Sequence, residues 1–421
     1  MIENFAEISR FNFWDGMLET GFRRSLYLER LKKFNTSSLV RVLVGQRRVG
    51  KSYLLRQVIA DLIKNGVEAR NTLYINMEYL EYGFIKTADD LVNTVKKGME
   101  MAPEKGSYHL FIDEVQLVQD WEKAINSLSQ DFTLKINIYL TGSNARLLSG
   151  ELATLLSGRY VKLLILPFSF KEYTSLTGQV SSKKLFLEYM QSGGMPELFR
   201  LPDLESRRNY MAAVYDTILL RDIVQRHQVR DIKLLQDIFA FVANNSANLF
   251  SINSLVNFFK GQKRKTNYET VAAYLRHLED AFLIHRCERF NIKGKELLKG
   301  EVKYYLNDLS FKNFLFPAVF HGWGYVMENL VFLELLNHGF EVFVGYMRDK
   351  EVDFVVKKEG GWMYIQSAFQ LDDPETRNRE YAPLLAIPDQ HEKWVVSADE
   401  LIIPSFEGIR HKLVWQDWLV A

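Results

Sequence analysis

The 421-residue sequence has one cysteine, almost no net charge and no long apolar run, and each of these absences excludes a class of protein. The lone Cys287 excludes an internal disulfide and a cysteine-rich metal site, so we expect a protein of the reducing cytoplasm. The net charge of +1 excludes a protein whose whole surface binds nucleic acid. No run approaches the roughly 18 apolar residues of a membrane span, and no basic-then-apolar segment opens the chain. We therefore expect neither a membrane partner nor a secretion signal.

A phosphate-binding loop is predicted at residues 45–52, which match the pattern G-x-x-x-x-G-K-[ST]. An apolar run precedes the loop and an amphipathic run with helical spacing follows it, as the pattern requires. Gly45 and Gly50 allow backbone N–H groups to turn toward phosphate oxygens, and Lys51 adds a positive charge. The Ser52 hydroxyl is placed to bind Mg²⁺. The predicted nucleotide site comprises Gly45, Gln46, Arg47, Arg48, Val49, Gly50, Lys51, Ser52 and Tyr53.

The first part of the chain alternates short apolar runs with helical stretches, as a parallel sheet covered by helices does. The predicted strands are residues 39–44, 72–77, 109–112, 137–140 and 161–166. The predicted fold class is therefore α/β, a three-layered P-loop NTPase with a parallel sheet. Such sheets bind ligands at the carboxyl ends of their strands, so polar residues that follow a strand are candidate site residues.

Two acidic and two small polar residues follow the third and fourth predicted strands. Asp113 is suited to hold Mg²⁺, directly or through water, and Glu114 to activate the attacking water as a general base. Ser143 or Asn144 is suited to hydrogen-bond the γ-phosphate or that water, although a helix N-cap would use the same residue types. Arg159 precedes the fifth strand and is either a surface arginine or an arginine finger that reaches a neighbouring subunit's nucleotide.

Several of these segments together resemble those of a large group of uncharacterised prokaryotic AAA-type ATPases. In chain order they are residues 45–52, Asp113-Glu114, Thr141-Gly142-Ser143, Ser157-Gly158-Arg159, residues 167–173 and residues 193–197. The resemblance covers nearly the whole chain. It implies a P-loop core of the AAA (ASCE) type, then a helical and winged-helix region, then a C-terminal α/β restriction-nuclease-like domain. It also implies ATP rather than GTP, and the sequence has no Asn-Lys-x-Asp-like motif for guanine.

Five regions follow from this plan. They are an N-terminal lead-in at 1–36, the ATPase core at 37–170, a helical lid at 171–230, a winged-helix-like region at 231–300 and a degenerate nuclease-like domain at 301–421. In the lead-in, we expect Arg23 and Arg24 to lie on a solvated charged face rather than to touch the nucleotide.

The winged-helix-like region is the most basic part of the chain. Residues 251–300 contain ten lysines and arginines against five acidic residues. DNA binding through residues 260–299 is one interpretation, because basic side chains near the third helix could meet phosphates. A winged helix that packs on protein and carries a solvated basic loop is the other.

The C-terminal region carries an incomplete nuclease pattern. Glu328 and Asp353 match the acids that hold Mg²⁺ in a restriction-nuclease core. Gln366 and Ala368 occupy the positions of the third carboxylate and the lysine. An amide is a weak Mg²⁺ ligand and alanine transfers no proton, so we expect no active nuclease. A scaffold or a platform for a protein partner is the expected role.

The primary hypothesis is therefore a Mg²⁺-dependent ATPase whose nucleotide state is coupled to its C-terminal domains. The first alternative is a slow nucleotide-gated switch, or a module that binds DNA or protein. An ATP-dependent nuclease is a less favoured alternative. A homo-oligomer fits the sequence, since Arg159 could act as a finger only on a neighbouring copy.

Overall fold

Each of the five apolar runs forms a strand of one parallel sheet, within two residues of its predicted bounds. The structure is a computed structural model, and it describes residues 8–35, 37–103, 106–131, 133–145, 156, 158–317, 322–347, 350–358, 361–416 and 418–419. The chain divides into two units, Met1–Ile165 and Leu166–Ala421. Ser157 of the predicted Ser157-Gly158-Arg159 motif lies outside the described residues.

The first unit has the α/β fold that the sequence predicted. Its strands are β1 (Val40–Val44), β2 (Thr72–Asn76), β3 (Tyr108–Asp113), β4 (Ile136–Gly142) and β5 (Tyr160–Leu164), in the spatial order β2-β3-β4-β1-β5. Its helices are α1 (Ser25–Lys32), α2 (Lys51–Lys64), α3 (Ala88–Glu100) and α4 (Trp121–Gln130), with short 3-10 turns at Ala69–Asn71, Leu80–Tyr82 and Val115–Leu117. All four neighbouring strand pairs are parallel, so the carboxyl ends of the strands meet at one edge.

Burial explains why these strands read as continuous apolar runs. Every residue of β1, β2 and β3 is buried, as in sheets whose two faces are both covered. Local signals set the helix starts: the Thr87 hydroxyl accepts from the Asp90 amide, and the Asp90 carboxylate accepts from the Thr87 amide. This reciprocal capping box satisfies two amides that would otherwise lack partners at the start of α3.

The second unit contains both helices and strands. Its helices are α5 (Phe170–Thr177), α6 (Lys183–Ser192), α7 (Leu204–Thr217), α8 (Ile232–Asn244), α9 (Ile252–Gly261), α10 (Tyr268–Asp280), α11 (Ser310–Leu315), α12 (Trp323–Asn337) and α13 (Pro374–Leu385), with a 3-10 turn at Pro196–Phe199. Residues Ile218–Gln225 continue α7 in the wider π-helical pattern. Asp203 caps the start of α7 by accepting from the Ser206 amide at 2.7 Å.

One eight-stranded sheet runs through the second unit. Its strands are β6 (Leu249–Phe250), β7 (Ile284–Asn291), β8 (Glu296–Leu306), β9 (Glu341–Met347), β10 (Lys350–Lys358), β11 (Gly361–Ala368), β12 (Glu392–Ser397) and β13 (Ile409–Leu413), in the order β13-β12-β11-β10-β9-β7-β8-β6. The predicted boundary between residues 300 and 301 falls inside β8. The parallel pair β7–β9 joins strands from the two sides of that boundary.

The core of this unit lies on both faces of the sheet. One cluster includes Leu330 and Leu335 of α12 against Phe354 and Val356 of β10. The other cluster includes Tyr381 and Leu384 of α13 together with further strand residues. Within the described part of the chain, no helix has both the length and the apolar character needed to cross a membrane.

Candidate nucleotide site

The loop between β1 and α2 has the backbone that the phosphate-binding pattern requires. Gly50 adopts φ +93°, a left-handed conformation that favours glycine, immediately before the first residue of α2. A Cβ on Gly45 would lie 2.2 Å from the carbonyl oxygen of Ile165, so only glycine fits there. The Lys51 Nζ donates to the carbonyl oxygens of Gly45 and Gln46 at 2.9 and 3.0 Å. The loop therefore holds its own lysine among its backbone groups at the start of a helix.

The two predicted carboxylates lie beside this lysine. Glu114 Oε1 is 3.8 Å from Lys51 Nζ, and both side chains are buried. Glu114 itself has φ +56°, an uncommon conformation for a residue with a Cβ, where β3 ends. Its amide donates to the Thr141 hydroxyl at 3.0 Å. Strain of this kind often marks a functional position, because the surrounding structure must hold it in place.

The environment of Glu114 keeps the carboxyl group ionised. Burial by itself would raise the pKa, but the nearby positive charges of Lys51 and Arg47 lower it. Hydrogen bonds from Gln116 and Ser143 act in the same direction, and the net result is a pKa below the usual range. The Ser143 hydroxyl donates to Glu114 Oε2 at 3.1 Å. A buried, ionised and oriented carboxylate next to a phosphate loop has the properties of a general base.

Asp113 is completely buried and hydrogen-bonded on both oxygens. Tyr74 donates to Oδ2 at 2.9 Å, and Thr141 donates to Oδ1. Burial and the neighbouring charge of Glu114 raise the pKa of Asp113, while hydrogen bonds from Ser52 and these two residues lower it; the net shift is upward. The Ser52 hydroxyl and the Asp113 carboxylate thus meet beside the loop. Hydroxyl and carboxylate oxygens are the ligands that Mg²⁺ prefers, so the residues present fit a Mg²⁺ ion.

The remaining predicted residues divide into two groups. Ser143 and Asn144 follow β4 and are buried at the same edge of the sheet as Glu114. Arg159 lies at the opposite edge, because its carbonyl accepts from the amide of Val40, the first residue of β1. Five strand residues, or about 16 Å, separate that edge from the loop. The structure therefore does not bring Arg159 to the nucleotide site of its own chain.

The expectation for Arg24 was wrong. Arg23 is exposed and pairs with Asp61 at 2.8 Å, as a solvated residue does, but Arg24 is only 1% exposed. The Arg24 guanidinium donates to the Val49 carbonyl of the phosphate loop at 3.1 Å and lies over the Tyr27 ring. An arginine in a charged segment resembles a surface residue in sequence, so nothing local reveals this buried contact.

Comparison with known proteins gives the same picture of the first unit. A family model described as an AAA domain matches residues 37–174, and a domain of unknown function, DUF8612, matches residues 183–319. A protein of Haemophilus influenzae is 35% identical over 401 residues, which cover 94% of this chain and 98% of that protein. A protein of Methanocaldococcus jannaschii is 32% identical over 366 residues, or 83% of this chain and 79% of that protein. The chain belongs to this family of AAA-domain proteins.

The solved structures that resemble this chain share less of its sequence. A Walker-type ATPase of Pyrococcus abyssi has a TM-score of 0.46 at 17% identity, over 70% of this chain and 95% of that one. The Orc1 protein of Aeropyrum pernix, solved in complex with DNA, has a TM-score of 0.32 at 12% identity, over 70% of this chain and 92% of that one. Likenesses of this size say nothing about activity. The phosphate loop and the family match identify the first unit as an AAA-type P-loop ATPase domain.

A second cluster of buried acidic residues lies in the C-terminal part of the chain. Asp353 lies at an irregularity in the pairing of β10 with β9, between Val352 and Val355. It accepts from the amide of Ser367 at 2.8 Å and from Gln366 Nε2 at 3.3 Å. Gln366 also donates to Glu380 Oε2 at 2.9 Å. The Gln366 amide, at the position where the sequence pattern predicted a third carboxylate in a nuclease, therefore links two acids.

A lysine that the sequence pattern did not indicate completes this cluster. Lys303 of β8 is 3% exposed, and its Nζ lies 2.8 Å from Glu328 Oε1 and 2.6 Å from Glu351 Oε1. Ala368, at the position expected for a lysine, is buried among apolar residues of the second core cluster. Burial raises the pKa of both Glu328 and Asp353, and the positive charge of Lys303 opposes that rise. An ammonium group thus lies among the acids that would hold Mg²⁺ in a nuclease.

Proposed function

We propose that the protein binds ATP and hydrolyses its β–γ bond with Mg²⁺, and that Glu114 is the general base. The observation that carries the proposal is the contact set of Glu114, which is ionised, buried, 3.8 Å from Lys51 and hydrogen-bonded to Ser143. In this mechanism a water oxygen attacks the γ-phosphorus, Glu114 accepts the proton of that water, and ADP leaves.

The other residues of the site have supporting roles in this mechanism. Lys51 and the amides at the start of α2 bind the β and γ phosphates. Ser52 would hold Mg²⁺ directly and Asp113 would hold it indirectly, and the bound ion would neutralise charge on the phosphate oxygens. Because both Asp113 oxygens already accept hydrogen bonds, we place Asp113 behind Ser52, where it orients that hydroxyl or a water molecule. Ser143 orients Glu114, and Asn144 is the second candidate for contact with the γ-phosphate.

The test separates binding from hydrolysis. Steady-state phosphate release and the binding of a fluorescent ATP analogue are measured for the wild type, Lys51→Ala and Glu114→Gln. We expect Lys51→Ala to lose binding, and Glu114→Gln to retain it while hydrolysis falls about 10²–10⁴-fold, the usual effect of losing a general base. Glu29→Gln on the exposed face of α1 is the matched control. Equal hydrolysis by wild type and Glu114→Gln would refute the assignment.

A DNA-dependent ATPase is the second candidate function. Residues 231–306 follow the order helix, short strand, helix, helix and two strands, from α8 to β8, which is the order of a winged helix. Exposed lysines lie at the end of α9, in the loop before α10, in the turn between β7 and β8 and near the start of β8, and they are Lys260, Lys263, Lys265, Lys293, Lys295 and Lys299. Phosphate release that rises with duplex DNA, and no longer rises in Lys263→Glu/Lys265→Glu, would support it. A rate indifferent to DNA would favour a slow switch or a protein partner on the C-terminal region.

Two further roles belong to the proposal. Arg159 would act only on the nucleotide of a neighbouring copy, because its own loop lies at the other edge of the sheet. Arg159→Ala should then lower the hydrolysis rate at high protein concentration and leave the residual rate at low concentration unchanged. The nuclease-like cluster would be catalytically inactive, because Lys303 lies where a cation is needed. Plasmid cleavage that requires Asp353 would contradict this.

A further inference from the structure

A group of two histidines and an aspartate lies apart from the residues of the proposed ATPase site. Among the residues that the structure describes, one set of three such side chains has the spacing of a metal site, namely His227, His277 and Asp280. Each offers one ligand atom, and these atoms lie within 4.8 Å of one another. All three side chains are partly buried.

The end of the first helical segment fixes the position of His227. The helical segment that continues α7 ends at His227, Gln228 follows with φ +50°, and the Val229 amide donates to the Val224 carbonyl at 3.1 Å. This is the bond that closes a Schellman motif, in which His227 is the last residue before the left-handed turn. Three residues later, the Asp231 amide donates to the Tyr274 hydroxyl of α10 at 3.3 Å. The two contacts hold His227 against α10.

The other two side chains come from the last turn of α10. His277 and Asp280 are three residues apart, so they lie on the same face of the helix. The rings of His227 and His277 stack with their centroids 3.9 Å apart and their planes 10° from parallel. Thus three side chains from two separate helices lie next to one another.

The three ligand atoms lie near the separation that a transition metal requires. The 4.8 Å separation is an upper limit, and an ion at the centre of a triangle with sides of that length lies about 2.8 Å from each corner. Bonds from zinc to imidazole nitrogen and carboxylate oxygen are about 2.0–2.2 Å, so each ligand atom must move inward by up to about 0.7 Å. Because the two imidazole planes are within 10° of parallel, their nitrogen lone pairs do not converge, so one ring must also rotate out of the stack to bind the same ion.

The donor set favours a borderline ion over a hard one. Two imidazoles and one carboxylate suit Zn²⁺ and its first-row neighbours, whereas Mg²⁺ and Ca²⁺ prefer oxygen ligands. Both histidines also line an open groove of about 750 Å³ that contains Asn267 and Thr270, so an ion has a path from solvent. A fourth position would remain for water.

We propose that His227, His277 and Asp280 bind a divalent transition ion of the Zn²⁺ class, which links the end of the α7 segment to the last turn of α10. The linkage is independent of the ATPase proposal, because none of its ligands belongs to the first unit. Its expected effect is to hold residues 227–231 against α10, the third helix of the proposed winged helix.

The experiment uses Zn²⁺ alone with the full chain in the absence of nucleotide, in competition with a chromophoric indicator. Co²⁺ is used in parallel, because its visible absorption reports the coordination geometry. We expect one tight site per chain for the wild type. His227→Gln, His277→Gln and Asp280→Asn should each weaken it at least tenfold. His338→Gln is the matched control, since His338 lies 3.1 Å from Glu334 on α12, far along the chain from the three ligands.

Each outcome either supports or overturns the proposed metal site. Binding that all three variants weaken and His338→Gln does not, with a Co²⁺ spectrum of low coordination number, supports the site. Absence of a 1:1 site below about 100 μM, or equal affinity in all variants, overturns it. Circular dichroism and binding of the ATP analogue show whether each variant is folded. If a histidine variant fails to fold, the milder Asp280→Asn provides the decisive comparison.

Discussion

Replacing Lys303 with methionine tests the electrostatic logic of the C-terminal cluster. The Lys303 ammonium is 3% exposed and lies 2.8 Å from Glu328 and 2.6 Å from Glu351. The Tyr305 hydroxyl donates to the same Glu328 oxygen at 2.7 Å. Burial by itself would lower the pKa of Lys303, but the charges of Glu328, Asp353 and Glu351 raise it above its usual value. The lysine is therefore charged, and methionine removes that charge while nearly conserving the volume.

The magnitude follows from the charges left behind. Removing one partner of a buried ion pair destabilises a protein by about 3–5 kcal/mol, since the other charge stays buried without compensation. Here Glu328 and Asp353 would both lose their nearest cation. Their pKa values are already raised in the folded protein, so folding favours their protonated forms and stability falls as the pH rises through those pKa values. The loss in Lys303→Met should therefore be larger at pH 8 than at pH 5.5.

Urea unfolding followed by tryptophan fluorescence measures this loss. Five of the seven tryptophans lie in the second unit, so the signal reports mainly on it: Trp323, Trp362, Trp394, Trp415 and Trp418. Lys260→Met, on the exposed face of α9, is the matched control. The double variant Lys303→Met/Glu328→Gln should recover at least half of the loss, because it removes a stranded charge. A loss below about 1 kcal/mol at pH 8, or no recovery in the double variant, would refute the reasoning.

Three further predictions concern other parts of the chain. Gly45→Ala should weaken binding of the ATP analogue at least tenfold, because its Cβ would meet the Ile165 carbonyl at 2.2 Å; Gly16→Ala, where nothing lies within 4 Å, should leave binding unchanged. Arg24→Met should lower the free energy of unfolding by about 1–3 kcal/mol, since a buried carbonyl of the loop loses its donor, and calorimetry measures this. Burial raises the pKa of Glu279 to about 7, so its contribution to stability falls as the pH rises from about 4.5 to 7. Glu279→Gln should therefore stabilise the protein by up to about 3 kcal/mol at pH 8 and by little at pH 5, as urea unfolding at both values would show.

The parts of the structure that the sequence predicted are those with local causes. A glycine-rich loop between a strand and a helix, and carboxylates directly after a buried strand, lie close together wherever parallel strands end at one edge. The strands of the first unit also agree with the predicted runs to within two residues, because each run is continuous and largely apolar. Chain-local patterns were enough for these elements.

The parts that the sequence did not predict depend on contacts between distant segments. Arg24 contacts Val49 across 25 residues of chain, and Lys303 of β8 contacts Glu328 of α12 across the same number. Neither side chain differs locally from a surface residue, since charge alone does not reveal burial. The single eight-stranded sheet was also missed, because the parallel pairing of β7 with β9 joins segments more than 50 residues apart.

The neutral Gln366 amide and the charged Lys303 ammonium have complementary roles in the C-terminal cluster. The Gln366 amide donates to Asp353 and to Glu380, at 3.3 and 2.9 Å. A glutamate there could only accept hydrogen bonds, so it would add a third carboxylate against two that are already buried. Lys303 is paired with Glu328 and Glu351, and Arg379 is paired with Glu380. A third carboxylate would therefore compete for cations that already have acidic partners. Gln366→Glu would therefore destabilise the cluster without creating a metal site, because the ammonium already lies among the acids that the metal would need.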